Sequence, residues 1–230
     1  MRSLLKRWEQ LPQELQNDSV RPYYEALSRK RGQLLLKRVF DILLSLVLLV
    51  LLSPVMLILA LAIRLDSPGE VLFRQVRVTQ YGQEFRIFKF RTMVANAQQL
   101  GTQVTVQGDM RITRVGKLLR KCRLDELPQL LNILMGQMSF VGTRPEVPRY
   151  VRQYTPQMLA TLLLPAGVTS QASIRYKDED RLLDNSSDPD RTYVEQVLPG
   201  KMEYNLNSML DFSLWQDLKT MVQTVGAVLH

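Results

Sequence analysis

Residues Ile42 to Ile63 form a run of 22 positions without a charged side chain, and this run restricts the fold more than any other feature of the 230-residue chain. As a straight helix it would be roughly 33 Å long at about 1.5 Å per residue, enough to cross a ~30 Å hydrocarbon core. A simple span is therefore the default. Two features argue otherwise. Ser53-Pro54 sits near the middle, and proline removes a backbone donor and clashes with the preceding turn, so a kink or break is expected there. The arms on either side would measure about 18 Å and 15 Å, each about half the core. Both flanks are also basic, with Lys37 and Arg38 before the run and Arg64, Arg74 and Arg77 after it. A span prefers its positive flank inside, and here both flanks qualify. A helix that enters, bends at Ser53-Pro54 and returns to the same face accommodates both, so a re-entrant anchor over residues 34–66 is favoured. In that arrangement Lys37 and Arg38 snorkel to headgroups and Asp41 pairs with either.

The segments around this anchor have different patterns. Residues 1–33 are polar and mixed in charge, unlike a cleavable signal peptide, whose short basic start leads directly into its apolar core. Leu4, Leu5, Trp8, Leu11 and Leu15 recur at roughly helical spacing despite Pro12. An amphipathic helix at the membrane surface and a helix packed on the domain both remain open. Residues 67–230 read as a separate domain. Val71-Leu72-Phe73 and Phe85 to Phe90 have strand character, with Gln80-Tyr81-Gly82-Gln83 as the turn, which predicts a short β-hairpin. Ala95 to Gly108 reads as a polar loop. Leu127, Leu130, Leu131 and Leu134 predict a helix ending near Gly136, and Leu214 through Val225 predicts another. The fold class is α+β and mostly helical.

Charge is unevenly distributed. Arg64 to Arg123 carries twelve Lys/Arg against four Asp/Glu, whereas the chain from Leu124 onward carries nine against thirteen. A basic zone beside an apolar segment suits anionic lipids or phosphorylated ligands, although any single cation there reads equally well as solvated surface. No helix-turn-helix, zinc-finger or RNA-recognition pattern supports a nucleic-acid partner. Cys122 is the only cysteine and His230 the only histidine. That excludes a disulfide framework, a Cys/His zinc site and His-dependent nucleophilic catalysis. Chemistry must run on carboxylates, hydroxyls, Lys/Arg and a hard metal ion.

The stretch from Arg111 to Pro145 is richest in such groups. Arg114, Lys117, Arg120, Lys121 and Arg123 lead into Asp125-Glu126, and a helix opens at Leu127-Pro128, where proline is tolerated in the first turn. The two carboxylates thus sit at or just before a helix N-terminus, which carries free N–H groups and partial positive charge. Adjacent carboxylates among cations suit Mg²⁺ together with phosphates, and they equally suit a helix cap with ordinary ion pairs.

Three blocks, KRVFDILLSLVLLVLLSPVML, FRIFKFRTM and RKCRLDELPQLLNILMGQMSFVGTRP, resemble the monotopic phosphoglycosyl transferases, also called bacterial sugar transferases. The resemblance runs from about Lys37 to about Val225. It implies a membrane helix broken at Ser53-Pro54 and a monotopic protein on the cytosolic face of the bacterial inner membrane, with interfacial amphipathic helices. It implies that Asp125 attacks the sugar-linked phosphate of a UDP-sugar and releases UMP. A phosphosugar-aspartyl intermediate forms, and polyprenyl phosphate, usually undecaprenyl phosphate, then takes the phosphosugar. Mg²⁺ is the implied cofactor, held at Asp125 and Glu126, and Glu126 handles metal or proton. Arg120 and Arg144 match family arginines near phosphate and nucleotide. Lys89, Arg91, Arg114 and Arg123 are further candidates for phosphate binding. Membrane lipids are implied partners, and a homo-oligomer remains open. Two positions depart from the family pattern: Pro-Arg-Pro is Thr143-Arg144-Pro145 here, and Gly-Ile-Thr-Gly is Gly167-Val168-Thr169-Ser170. Arg175, just after the second, reads as a donor contact or as a surface partner of the Lys177–Asp180 run. The competing classes are a single-span scaffold with a basic lipid-binding or partner-binding face, and a metal-dependent nucleotide-sugar hydrolase.

Overall fold

The computed structural model describes residues 5–97, 109–177 and 188–229. Its helices are α1 (Arg21–Ser28), α2 (Arg31–Asp66), α3 (Arg114–Lys121), α4 (Gln129–Leu134), α5 (Pro148–Val151), α6 (Gln171–Arg175), α7 (Pro189–Thr192), α8 (Leu198–Leu210) and α9 (Leu214–Leu229). Strands β1 (Leu72–Val78) and β2 (Glu84–Phe90) form the expected antiparallel hairpin, paired from Leu72 opposite Phe90 to Val78 opposite Glu84. Strands β3 (Met138–Val141) and β4 (Ala166–Thr169) form a parallel pair. The mostly helical α+β class holds, as do the helices at 129–134 and 214–229. Of the expected 95–108 loop, residues 98–108 lie outside the described residues.

The break expected at Ser53-Pro54 is absent: α2 is continuous through Pro54. Proline leaves the carbonyl four residues back without its helical donor. Here that carbonyl belongs to Val50, and the Ser53 hydroxyl donates to it at 2.8 Å. The serine before the proline thus satisfies the acceptor that the proline orphans.

One face of α2 is buried along its length. Leu34, Lys37, Asp41, Ser45 and Ile63 are buried, and Leu48, Leu49, Leu52, Met56, Leu59 and Ala60 pack between them against the rest of the chain. These positions recur every three or four residues, as one helical stripe requires. The opposite face exposes Leu43, Val50, Leu57, Leu61 and Leu65. Among the described residues, α2 is the one helix long and apolar enough to cross a membrane.

The polar groups before the apolar run do not snorkel as expected. Lys37 is 4% exposed, and its Nζ donates to Asp217 of α9 at 2.6 Å and to the Val141 carbonyl at 2.9 Å. Arg38 donates to the carbonyls of Ile133 and Leu134 at 2.6 and 3.0 Å, at the end of α4 where carbonyls run out of helical donors. Asp41 accepts from the Phe140 N–H at 3.2 Å instead of pairing with either cation. Each group therefore binds α2 to the domain. Removing one partner of a buried pair leaves an uncompensated charge. Lys37→Met is expected to lower stability by about 3 kcal/mol. The measurement is thermal unfolding in detergent, with Lys37→Met/Asp217→Leu recovering most of the loss.

The N-terminal apolar stripe forms no continuous helix. Pro12 separates two single 3-10 turns, Trp8–Gln10 and Gln13–Leu15. Of the two placements left open, packing on the domain is the one observed. Leu5, Leu11 and Leu15 are buried with Leu27, Leu163, Leu206 and Phe212 in one cluster.

Candidate active site

The two carboxylates lie on a 3-10 turn, Leu124–Glu126, between α3 and α4. The chain enters this turn through Arg123, whose φ of 55° places a non-glycine residue in the left-handed region. That conformation costs roughly 1–2 kcal/mol and must be held by its surroundings. Helix α3 supplies the hold on one side. Thr113 caps it by accepting from the Gly116 N–H at 3.0 Å. Gly116 lies so close to the Thr92 carbonyl that a Cβ would fall 2.1 Å from the oxygen. This approach brings Arg120 to Thr92, and its Nε donates to the hydroxyl at 2.9 Å.

Glu126 is pinned. Lys89 of β2 donates to its Oε1 at 2.8 Å, and Arg144 reaches both of its oxygens. Burial alone would raise the Glu126 carboxyl, but Arg144 and Lys89 overcome it and hold the group well below the usual carboxylate range. Burial pulls the Lys89 ammonium down, with Glu126 opposing. Asp125 contrasts with its neighbour. It is 8% exposed and makes no hydrogen bond among the described residues. Burial pushes its carboxyl up, opposed by Lys89, reinforced by Glu126, and opposed again by Arg120 and Arg144. One carboxylate is therefore fully engaged, while the other is uncommitted and more basic than usual.

The structure thus gathers Lys89, Arg120, Asp125, Glu126 and Arg144. It places Arg91 elsewhere. The Arg91 guanidinium is buried and donates to the carbonyls of Ser67 and Pro68 at 2.7 and 2.8 Å. Its expected phosphate role is corrected to that of a clamp on the turn after α2. Arg114 and Arg123 are exposed, and the cations that bear most on the two carboxylates are Lys89, Arg120 and Arg144. Ser170, where the family motif has glycine, caps α6 by accepting from the Ser173 N–H at 3.0 Å. Arg175 lies over the Tyr204 ring, 6.0 Å from its centroid, beside an open polar cavity of about 230 Å³ shared with Lys219 and Gln223. Its expected acidic partners at 178–180 lie outside the described residues.

Two groups of supporting residues escaped the sequence reading. Asn132 is fully buried in α4; its amide donates to the Arg86 carbonyl at 2.9 Å and its oxygen accepts from the Phe88 N–H at 2.9 Å. It ties α4 to the strand that carries Lys89, and an asparagine inside an apolar helix was the available signal. The other group holds the Arg144 loop. Arg77 donates to the Pro145 carbonyl at 3.1 Å, and the Val78 N–H donates to the Glu146 carbonyl at 2.9 Å. The buried Glu146 side chain accepts from the Tyr193 hydroxyl, to which Lys201 donates at 3.1 Å.

The model for the family described as bacterial sugar transferase matches residues 32–230. The chain belongs to the bacterial sugar transferase family. As a bacterial sugar transferase it is 38% identical over 84% of its length to a UDP-N-acetylgalactosamine-undecaprenyl-phosphate N-acetylgalactosaminephosphotransferase of Aeromonas hydrophila, covering 44% of that protein. It is 36% identical over 85% of its length to a UDP-glucose:undecaprenyl-phosphate glucose-1-phosphate transferase of Caulobacter vibrioides, covering 70% of that protein. To a UDP-glucose:undecaprenyl-phosphate glucose-1-phosphate transferase of Escherichia coli K12 it is 37% identical over 83% of its length, covering 39% of that protein. The chain therefore spans less than half of two of these relatives.

Among the described residues, no three His, Cys, Asp or Glu side chains cluster to hold a metal ion. An all-protein cage is absent from them. Mg²⁺ commonly keeps several waters and is held by one or two carboxylates plus substrate phosphates. Uncommitted Asp125 fits that donor pattern as a single carboxylate, whereas the expected Glu126 ligand has both oxygens engaged by Lys89 and Arg144.

Proposed function

We propose that this chain transfers a phosphosugar from a UDP-sugar to polyprenyl phosphate through a covalent adduct on Asp125. The observation that carries the proposal is the difference between two adjacent carboxylates. Glu126 is locked by Lys89 and Arg144, whereas Asp125 has no hydrogen-bonding commitment among the described residues and is held more basic than a usual carboxylate. An aspartate can accept phosphorus covalently when it is ionised and aimed. The Asp125 oxygen bonds to the sugar-bearing phosphorus as the bond to the bridging oxygen breaks, and UMP leaves with the electron pair. Polyprenyl phosphate oxygen then attacks the same phosphorus and frees Asp125.

Phosphoryl transfer is accelerated mainly by positioning and charge neutralisation. Arg144 and Arg120 present planar guanidinium forks suited to phosphate oxygens, and Lys89 adds a compact charge. Arg144 is steered by Glu126 and by its loop anchors at Arg77 and Val78. Mg²⁺, when bound, would be held at Asp125, with Glu126 contributing only by giving up contact with Lys89 or Arg144, and would neutralise charge on the donor's phosphates. The relatives' names carry two different sugars, so the sugar itself is left to a donor screen.

Membrane attachment through α2 belongs to the same proposal. The stripe of α2 from Leu34 to Ile63 lies against the domain, and because the helix is uninterrupted at Pro54, entry and return on one side would require a bend within α2 at the proline. The cytosolic face of the inner membrane suits a water-soluble donor and a lipid acceptor using one interfacial site in turn. Single cysteines at the exposed positions Arg29 and Glu84 are expected to label from the same, cytosolic side, in a Cys122→Ser background. Labelling from opposite sides means a true span.

The activity test is incubation with a panel of UDP-sugars, Mg²⁺ and undecaprenyl phosphate. UMP release with a lipid-linked phosphosugar is the expected result. UMP release without lipid product points to a hydrolase, and silence across the panel points to a scaffold.

A further inference from the structure

Gln129 opens α4 one helical turn beyond the carboxylate pair. It is 1% exposed, yet neither its Nε2 nor its Oε1 has a hydrogen-bond partner among the described residues. An interior glutamine whose amide finds no protein partner is costly. An apolar side chain of the same length would fit the site better on packing grounds alone. A buried polar side chain without a partner calls for a specific explanation, and a role in function is one.

The backbone indicates which partner. Leu127 and Pro128, between the carboxylates and α4, both have right-handed helical dihedrals. The hydrogen bonds here close on the third residue, from Leu127 to Leu124 and from Leu130 to Leu127, so Gln129 lies one tight turn after both carboxylates, three residues from Glu126 and four from Asp125. Helical side chains lean toward the N-terminus, so Gln129 leans over the turn that carries them. Asp125 is the other polar group in this turn that makes no hydrogen bond among the described residues. Glu126, three residues before Gln129, already has Lys89 and Arg144.

We infer that the Gln129 carboxamide is a positioning residue for Asp125, its Nε2–H donating to the carboxyl oxygen that does not attack. This rests on the proposal that Asp125 is the nucleophile. While Asp125 is ionised, the hydrogen bond selects the rotamer that aims the other oxygen at phosphorus. Once that oxygen is esterified, the remaining carbonyl oxygen still accepts, so the contact persists in the adduct. Gln129 neither gives nor takes a proton. The bond is absent in the resting arrangement, and a change in the two side-chain torsions would form it when donor binding fixes Asp125.

The test is Gln129→Met, which keeps length and volume and removes both unmet polar atoms. The full chain in detergent, with Mg²⁺, a UDP-sugar that the wild type accepts and undecaprenyl phosphate, is followed by UMP release, by mass of the trapped adduct and by thermal unfolding. The expected result is a midpoint equal to or above wild type, with kcat at least tenfold lower and KM for the donor within about threefold. A purely structural glutamine would give a loss of activity that follows a loss of stability, or no loss at all. Either outcome overturns the inference. A second variant keeps the test independent of folding. Gln129→Glu keeps the length but removes the amide donor, and is expected to lower kcat at least tenfold with the donor KM within about threefold in a protein that unfolds like wild type. An undiminished kcat in folded Gln129→Glu enzyme also overturns it. Wild-type protein that releases UMP without an adduct on Asp125 overturns the nucleophile assignment, and this inference with it. Wild-type adduct formation with unaltered Gln129→Met kinetics overturns the inference alone.

Discussion

Asp125→Asn is expected to lower UMP release by on the order of 10⁴-fold or more, the scale seen when a nucleophile is removed, and to abolish the trapped adduct. The amide keeps the shape of the carboxylate but offers no anionic oxygen to phosphorus. Stability should move the other way. Burial raises the folded-state pKa of Asp125, so its contribution to stability is fully present only below the unfolded value near 3.8 and is lost as pH rises through the raised pKa. At neutral pH the ionised group is a net cost, and the neutral amide removes it. Thermal unfolding in detergent at neutral pH should therefore give a midpoint at or above wild type, in a protein that no longer turns over. The same raised pKa places the acid limb of kcat/KM above the ordinary carboxylate range. Full activity in Asp125→Asn would remove this residue from the mechanism.

Glu126→Gln is expected to cost both stability and activity. Glu126 has a side chain 11% exposed and sits between Lys89 and Arg144, at 20% and 30%. Neutralising it leaves Lys89 and Arg144 facing each other with only Asp125 nearby as counter-charge, a loss of about 3 kcal/mol. Arg144 also loses the group that aims it, and turnover should fall by roughly 10²–10³-fold, the range for losing one preorganised charge contact. The pH dependence identifies the cause. The folded-state pKa of Glu126 is depressed, so its stabilising contribution is present above the unfolded value near 4.5 and is lost as pH falls through the folded one. The gap between wild type and Glu126→Gln in denaturant unfolding should be widest near neutrality and close under strongly acidic conditions. A gap that stays constant with pH would mean that packing, not charge, accounts for the loss.

Much of this was legible in the chain itself. The hairpin announced itself by strand residues around a Gly-containing turn, and the Asp125-Glu126 pair by a proline and a leucine stripe immediately after it. What stayed hidden depended on distant groups or on one local repair. Pro54 argues for a break, but the helix runs on, with the Ser53 hydroxyl donating to the Val50 carbonyl and Leu52 and Met56 packed on the domain to either side. Lys89 and Arg91 lie two apart and look equivalent in an alternating strand. Strand β2 ends at Phe90, so Arg91 leaves the pleat and turns to Ser67 and Pro68, while Lys89 stays on the site. Lys37 and Arg38 read as headgroup anchors because their partners in α9 and α4 lie far along the chain. Glu146 gave no signal, since Tyr193 and Lys201 meet it only after the chain has folded back. The N-terminal leucines were recognisably apolar, but their partners come from three distant segments.

The two-sided character of α2 has a practical corollary. The stripe from Leu34 to Ile63 covers Ile133, Met138, Phe90 and Leu119, while the other side offers leucines outward. The long apolar helix and the backing of the carboxylate site are one element. Trimming it away to obtain a water-soluble enzyme would strip the lining from beneath β2, α3 and α4 and loosen the floor on which Lys89 stands. Surfactant choice will bear on turnover for the same reason, because whatever grips the outer leucines also sets how firmly the inner ones press on the site.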